Sequence, residues 1–134
     1  MRCLIDTCTL IWLLSEPKKL SEKAIEIIRS RQNDVFASTV SFWEISLKHS
    51  IGKLSFENVE LEEIEEVLTD TYHIAIIGLG EQESLSYSRL PGFEEHRDPF
   101  DRMLAWQAIK RDMALISSDD AFGLYRRCGL RIIW

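Results

Sequence analysis

Cysteine is scarce: Cys3, Cys8 and Cys128 are the only three. An odd count without paired metal-site spacing excludes a disulfide framework and a zinc motif, so reduced thiols are expected, at least two of them buried. Long apolar runs are missing too. None approaches the roughly 18 to 20 residues of a spanning helix, which excludes an α-helical membrane protein. Arg2 precedes an apolar stretch, but Asp6 interrupts it and no small-residue cleavage pattern follows. The N-terminus is therefore expected to be mature structure, in the cytoplasm. Positive charge is in deficit, 16 Lys and Arg against 22 Asp and Glu, for a formal net charge of −6. Proteins that hold nucleic acid by bulk electrostatics are usually basic, so any such partner has to meet a local basic patch. There is no glycine-rich phosphate loop, internal repeat, linker or low-complexity segment.

What remains is a chain of 134 residues, 46% apolar, long enough for one continuous core and expected to form one domain over residues 1–134. Short runs rich in β-branched and apolar residues at 3–5, 35–37, 74–77, 114–116 and 130–133 read as strands. Helical patterns fill the intervals. The first runs from Thr7 and closes before Pro17, and the second is capped by Ser21 with Ala24, Ile25, Ile27 and Ile28 on its apolar face. A third carries the stripe Val40, Trp43, Leu47 and Ile51 and stops at Gly52. Leu61, Ile64, Val67 and Leu68 mark an amphipathic helix with a solvated acidic face, and a short helix is expected over 81–89. A long helix opens at Asp98-Pro99. Strands alternating with helices predict an α/β fold, a central parallel sheet of four to five strands with helices on both faces.

Asp6, Glu44, Asp101 and Asp119 each fall where a strand pattern gives way to a helical one. In a parallel sheet those junctions gather at one edge, where ligands bind. Helix capping is the competing explanation. Asp6 and Asp119 fit simple caps, Asp98 fits an N-cap with Pro99 at N1, and Asp101 then falls at N3. Ser41 and Glu44 have capping-box spacing. Glu44, however, is wedged between Trp43 and Ile45, and a carboxylate on an apolar stripe is costly unless it is paired, protonated or bound to a metal. Ser or Thr would cap equally well, so several acids at one edge add repulsion that only a cation relieves. Oxygen ligands without His or Cys favour Mg²⁺ or Mn²⁺ over zinc, and such an ion suits phosphodiester hydrolysis.

The segments LIDTCTLIWLL, STVSFWEISLKHSIGKL, HRDPFDRMLAWQA and LISSDDAFGLY carry a resemblance that spans the chain. It is to the PIN-domain nucleases, most closely the VapC-type toxins of bacterial toxin–antitoxin pairs. The resemblance implies a PIN-like fold and a Mg²⁺- or Mn²⁺-dependent endoribonuclease with Asp6, Glu44, Asp101 and Asp119 as its acids. Asp98 would be a further ligand or outer acid, and Thr7 and Ser117 would orient carboxylates or waters. An RNA substrate, an antitoxin partner and a homodimer are implied as well. Lys48, His49, Lys53, His96, Arg97 and Arg102 flank the acids and are candidates for gripping the RNA backbone. His96 reads as exposed and incidental to proton transfer. Trp12, Trp43 and Trp106 read as core or interface packing rather than base stacking.

Three rivals remain. A Mg²⁺-dependent phosphatase or phosphotransferase of haloacid-dehalogenase-like type expects D-x-D-x-T after the first strand, whereas Cys8 occupies the second acid's place. A receiver-like module expects its phosphoacceptor on a middle strand and an acidic pair near the N-terminus. A non-catalytic binding domain would be marked by loss of the acids, and none is lost.

Overall fold

Side chains alternate between the two faces of a strand, and five short apolar runs use that alternation to build two cores from one sheet. In the computed structural model, which describes residues 1–134, all five strands are parallel. β1 (Arg2–Ile5) is central, between β2 (Asp34–Ser38) and β4 (Ala114–Ile116), with β3 (Ala75–Ile77) and β5 (Arg131–Ile133) outermost. The order is β3-β2-β1-β4-β5. Cys3, Ile5, Val35, Ala37, Ala114 and Ile116 point to one face, where α1 (Thr7–Ser15) and α2 (Glu22–Arg29) pack. Leu4 and Leu115 point to the other, against α6 (Pro99–Lys110), Phe122 and Tyr125. α3 (Thr39–Ser50) serves both cores, sending Val40 to the second and Ile45 to the first. No helix is long and apolar enough to cross a membrane.

The expected caps form as read. Asp6 accepts a hydrogen bond from the Thr9 amide, Ser21 from Ala24, Asp98 from Asp101 and Asp119 from Ala121. The third helix differs. Its buried residues are Val40, Ser41, Glu44 and Ile45, while Trp43 is 66% exposed and Leu47 and Ile51 also face solvent. Both sides of α3 carry apolar residues at helical spacing, so periodicity alone does not say which side faces in. Its N-cap is Ser38, which accepts from the Val40 amide, so Ser41 and Glu44 form no capping box.

The acidic segment is no regular helix. A 3₁₀ turn at Leu61–Glu63, a turn of α4 (Ile64–Glu66) and a π-helical turn at Val67–Thr71 follow one another, with Ile64 and Leu68 buried and Glu62, Glu63, Glu65 and Glu66 exposed as expected. Of the cysteines only Cys3 is buried, while Cys8 is exposed and Cys128 intermediate, a correction to the expected two. Cys8 falls on the solvent side of α1, because Thr7, Thr9, Leu10 and Leu13 take the inner one.

Between α5 (Glu81–Ser86) and α6 a buried acid does structural work that the sequence did not announce. Glu83 accepts hydrogen bonds from the Gly80 amide, from Gln107 Nε2 and from both Nε and Nη2 of Arg111. Gln107 in turn accepts from Ser38 Oγ at 2.6 Å, tying this corner to the end of β2. Burial pushes the Glu83 carboxyl up, but the bonds from Arg111, Gln107 and Gly80 and the Arg111 charge outweigh it and hold it below its ordinary value. A depressed folded-state pKa means that this stability is fully present above the unfolded carboxylate range and is lost as pH falls through the folded value. Glu83→Gln is therefore expected to cost about 1 to 2 kcal/mol in urea denaturation at pH 7, with the gap to wild type narrowing below about pH 4.5. A gap independent of pH would contradict this.

Candidate active site

β1 and β4 end side by side, with Ile5 paired to Ile116, and the chain leaves them for opposite faces of the sheet. This is the switch point at which open parallel sheets bind ligands. Asp6, the residue after β1, is 2% exposed, and its Oδ1 accepts from the Thr9 amide at 2.8 Å. Its Oδ2 accepts from Ser117 Oγ, which also accepts from the Asp119 amide at 3.0 Å. One hydroxyl thus ties the acid after β1 to the loop after β4. Burial raises the Asp6 pKa and Asp119 adds to the rise, against the opposing bonds from Ser117 and Thr9.

Glu44 arrives on α3. Thr7 Oγ1 donates to Ser41 Oγ at 2.9 Å, a buried contact that fixes α1 against α3, and Glu44 lies three residues further along the same inward side. Its Oε2 accepts from Lys48 Nζ at 2.6 Å. Its Oε1 is buried with no hydrogen-bond partner. Lys48, expected to grip substrate, is committed to this pair, which is the main reason its pKa is raised.

α6 brings Asp98 and Asp101. Asp98 is exposed and caps the helix through the Asp101 amide at 3.0 Å, whereas Asp101 points inward from the first turn and its carboxylate accepts no hydrogen bond. Burial first, and then the charges of Asp98, Glu44, Asp6 and Asp119, push the Asp101 pKa up to about 7. All five sequence-selected acids therefore act on one point. Asp119 itself is exposed. The Cys8 thiol is pushed up to about 11, by desolvation and by Asp6 and Asp101, which removes it as a thiolate nucleophile near neutral pH.

Two flanking residues are corrected. Arg102 does not reach outward for a phosphate. Its guanidinium donates to the Tyr87 hydroxyl, the carbonyls of Leu90 and Pro91 and the Tyr125 hydroxyl, so each of its nitrogens is bonded inside the protein. His96 is not exposed but buried. Its Nδ1 is 2.6 Å from the Tyr125 hydroxyl, and its Nε2 lies 3.5 Å from Asp101 Oδ2 without forming a hydrogen bond. One ligand atom from each of His96, Asp101 and Asp119 falls within 4.8 Å of the others. Both residues were misread because their partners, Tyr87 and Tyr125, are 15 and 29 residues away and no local pattern signals them. Arg97, His49 and Lys53 are exposed, as a substrate-gripping role requires. Of the tryptophans, Trp106 is buried, Trp12 packs on Trp134, and Trp43 meets Phe100 edge-on at 5.1 Å beside the acids.

The PIN-domain family model matches residues 3–127. The chain belongs to the PIN-domain family. PIN domains are generally nucleases that use a divalent metal, in keeping with acids gathered at one sheet edge. No curated relative matches the sequence. Among solved structures this PIN domain is similar to VapBC2 from Rickettsia felis bound to a DNA fragment from the promoter, at 15% identity over 100% of this chain and 99% of that one, with a TM-score of 0.71. It is also similar to VapBC-1 from nontypeable Haemophilus influenzae, at 19% identity, 99% and 97% coverage and a TM-score of 0.67. VapBC-5 from Mycobacterium tuberculosis follows at 14% identity, 98% and 97% coverage and 0.61. At such identities the likeness is one of fold.

The two arginines of the HRDPFDR segment are expected to separate cleanly in thermal and chemical denaturation. Arg102→Ala, which removes the donor to two hydroxyls and two carbonyls, should cost about 2 to 4 kcal/mol, and Arg97→Ala no more than about 0.5. Equal effects would refute the structural role of Arg102.

Proposed function

We propose that this PIN domain is a divalent-metal-dependent endoribonuclease that acts as the toxin of a toxin–antitoxin pair. The observation that carries the reading is the state of its acids. Five carboxylates from four segments crowd together, Asp101 is driven up to about 7, and Glu44 keeps a buried oxygen without a partner. Buried polar atoms in native proteins rarely stay unpaired, and crowded carboxylates of this kind fit a hard cation. Asp6, Glu44, Asp101 and Asp119 would hold the ion, Mg²⁺ or Mn²⁺, with Asp98 at the rim. When bound, it would supply Lewis acidity toward a phosphate oxygen and a lowered pKa for an attacking water.

The protein's own groups do the rest. Ser117 holds Asp6 and the Asp119 loop in a fixed relation, and Thr7 fixes the helix that bears Glu44. Lys48 neutralises one Glu44 oxygen and leaves the other free. Arg97 and Lys53 offer exposed cations, and His49 an exposed ring, that suit an RNA backbone. A phosphatase with Asp6 as nucleophile is disfavoured, because Cys8 stands where that chemistry needs its second acid.

RNA as substrate, an antitoxin partner, a homodimer and a cytoplasmic setting rest on the resemblance to VapC-type toxins. The toxin–antitoxin complexes among similar folds support the partner. Exposed Trp43, Leu47 and Ile51 on α3 offer an apolar surface suited to a protein contact.

Cleavage of RNA in the presence of Mg²⁺ or Mn²⁺ is expected, and a chelator should abolish it. Asp6→Asn should fold but lose at least about a hundredfold in rate. Cleavage that survives chelation, or full activity in Asp6→Asn, would sink the proposal.

A further inference from the structure

We infer that His96 is itself a ligand of the divalent ion, through Nε2, alongside Asp101 and Asp119. That makes the centre a mixed nitrogen–oxygen site, one that takes Mn²⁺ or another first-row transition ion in preference to Mg²⁺. The inference rests on the acidic cluster being a metal centre, and is independent of what the enzyme cuts.

Three observations converge on it. First, the ligand atoms of His96, Asp101 and Asp119 come from the loop before α6, the first turn of α6 and the loop after β4, and they fall within 4.8 Å of one another. Atoms bound at about 2.0 to 2.1 Å to an octahedral ion stand roughly 3 Å apart when adjacent and 4 Å when opposite. The 3.5 Å between His96 Nε2 and Asp101 Oδ2 lies between those two spacings, and it is too long for a good hydrogen bond.

Second, Nε2 is unpartnered although His96 is only 6% exposed, and it is aimed at the acids. A buried imidazole nitrogen facing carboxylates without bonding to them lacks a partner that an ion would provide.

Third, the far side of the ring is built as metal-bound histidines are usually built, with the other nitrogen anchored. Nδ1 sits 2.6 Å from the Tyr125 hydroxyl, which accepts from Arg102 Nη1 at 3.1 Å. Arg102 is pinned in turn by the Leu90 and Pro91 carbonyls and by Tyr87. Phe122 and Tyr125 meet the ring edge-on at 5.2 and 5.3 Å and fix its plane. In the tautomer protonated at Nδ1, that nitrogen donates to Tyr125 and the Nε2 lone pair faces Asp101 and Asp119. Carboxylates alone suit Mg²⁺, whereas an imidazole shifts the preference toward transition ions.

The chain has three histidines, which makes the assignment clean. His49 and His73 are exposed, and His73 has a φ of 56°, which Asn tolerates. The variant carrying His49→Gln and His73→Asn therefore keeps His96 alone, without disturbing the core. Pulsed electron paramagnetic resonance of Mn²⁺ bound to it should show coupling to a directly bound imidazole nitrogen, with frequencies that change on ¹⁵N-histidine labelling. Adding His96→Gln should remove that coupling and weaken Mn²⁺ binding at least about tenfold, since outer-shell losses alone cost about 10–100-fold. Mg²⁺ binding should change far less. Mn²⁺ bound without imidazole coupling would overturn the inference and leave the acidic metal centre standing. No Mn²⁺ binding at all would overturn both.

Discussion

Two carboxylates about 5 Å apart repel by roughly 3 kcal/mol at an effective dielectric near 20, and this chain brings Asp6, Glu44, Asp98, Asp101 and Asp119 within reach of one another. No single element would hold such a cluster. The parallel sheet does so by directing β1 and β4 to one edge, and by setting α3 and α6 beside it. Three of the five acids also serve as helix caps, so the backbone gains from the same side chains that repel. Asp101 and Glu44 have no capping role for their side chains, and they show the strain most plainly, one as a raised pKa and the other as an unpartnered oxygen.

The surrounding polar contacts keep the cluster from relaxing. Ser117 and Thr7 bind the strand ends and α3 directly. Further out, Arg102 gathers Tyr87, Leu90, Pro91 and Tyr125 and so fixes the loop carrying His96, while Glu83, Gln107 and Arg111 lock α5 to α6. Each charged side chain in these networks is satisfied, as burial requires. The groups left unsatisfied, Glu44 Oε1 and His96 Nε2, belong to or face the acids.

Much of this was legible in the sequence, for physical reasons that differ by element. The strands were readable because parallel strands are buried on both faces and become short, wholly apolar runs. Asp6, Asp98 and Asp119 were readable as cap-like acids because capping is local. What could not be read depended on distant partners. Nothing near Arg102 tells that its donors end on tyrosines and carbonyls rather than on phosphate. His96 looked exposed because its neighbours in sequence are charged, although Phe122 and Tyr125 enclose it in space. α3 was misjudged because both its sides are apolar enough, and its inward side is the one that carries Glu44.

The central claim is that the acids are held against their own repulsion until a cation relieves it. Melting temperatures of wild type and Asp101→Asn, each with and without Mn²⁺ at pH 7, test it most directly. An acid whose folded pKa is raised destabilises the folded state above its unfolded pKa, so metal-free Asp101→Asn should melt above metal-free wild type. Mn²⁺ should then raise the wild-type melting temperature in a concentration-dependent way and leave the variant nearly unmoved. A metal-free variant that melts lower, together with a wild type indifferent to Mn²⁺, would contradict the claim.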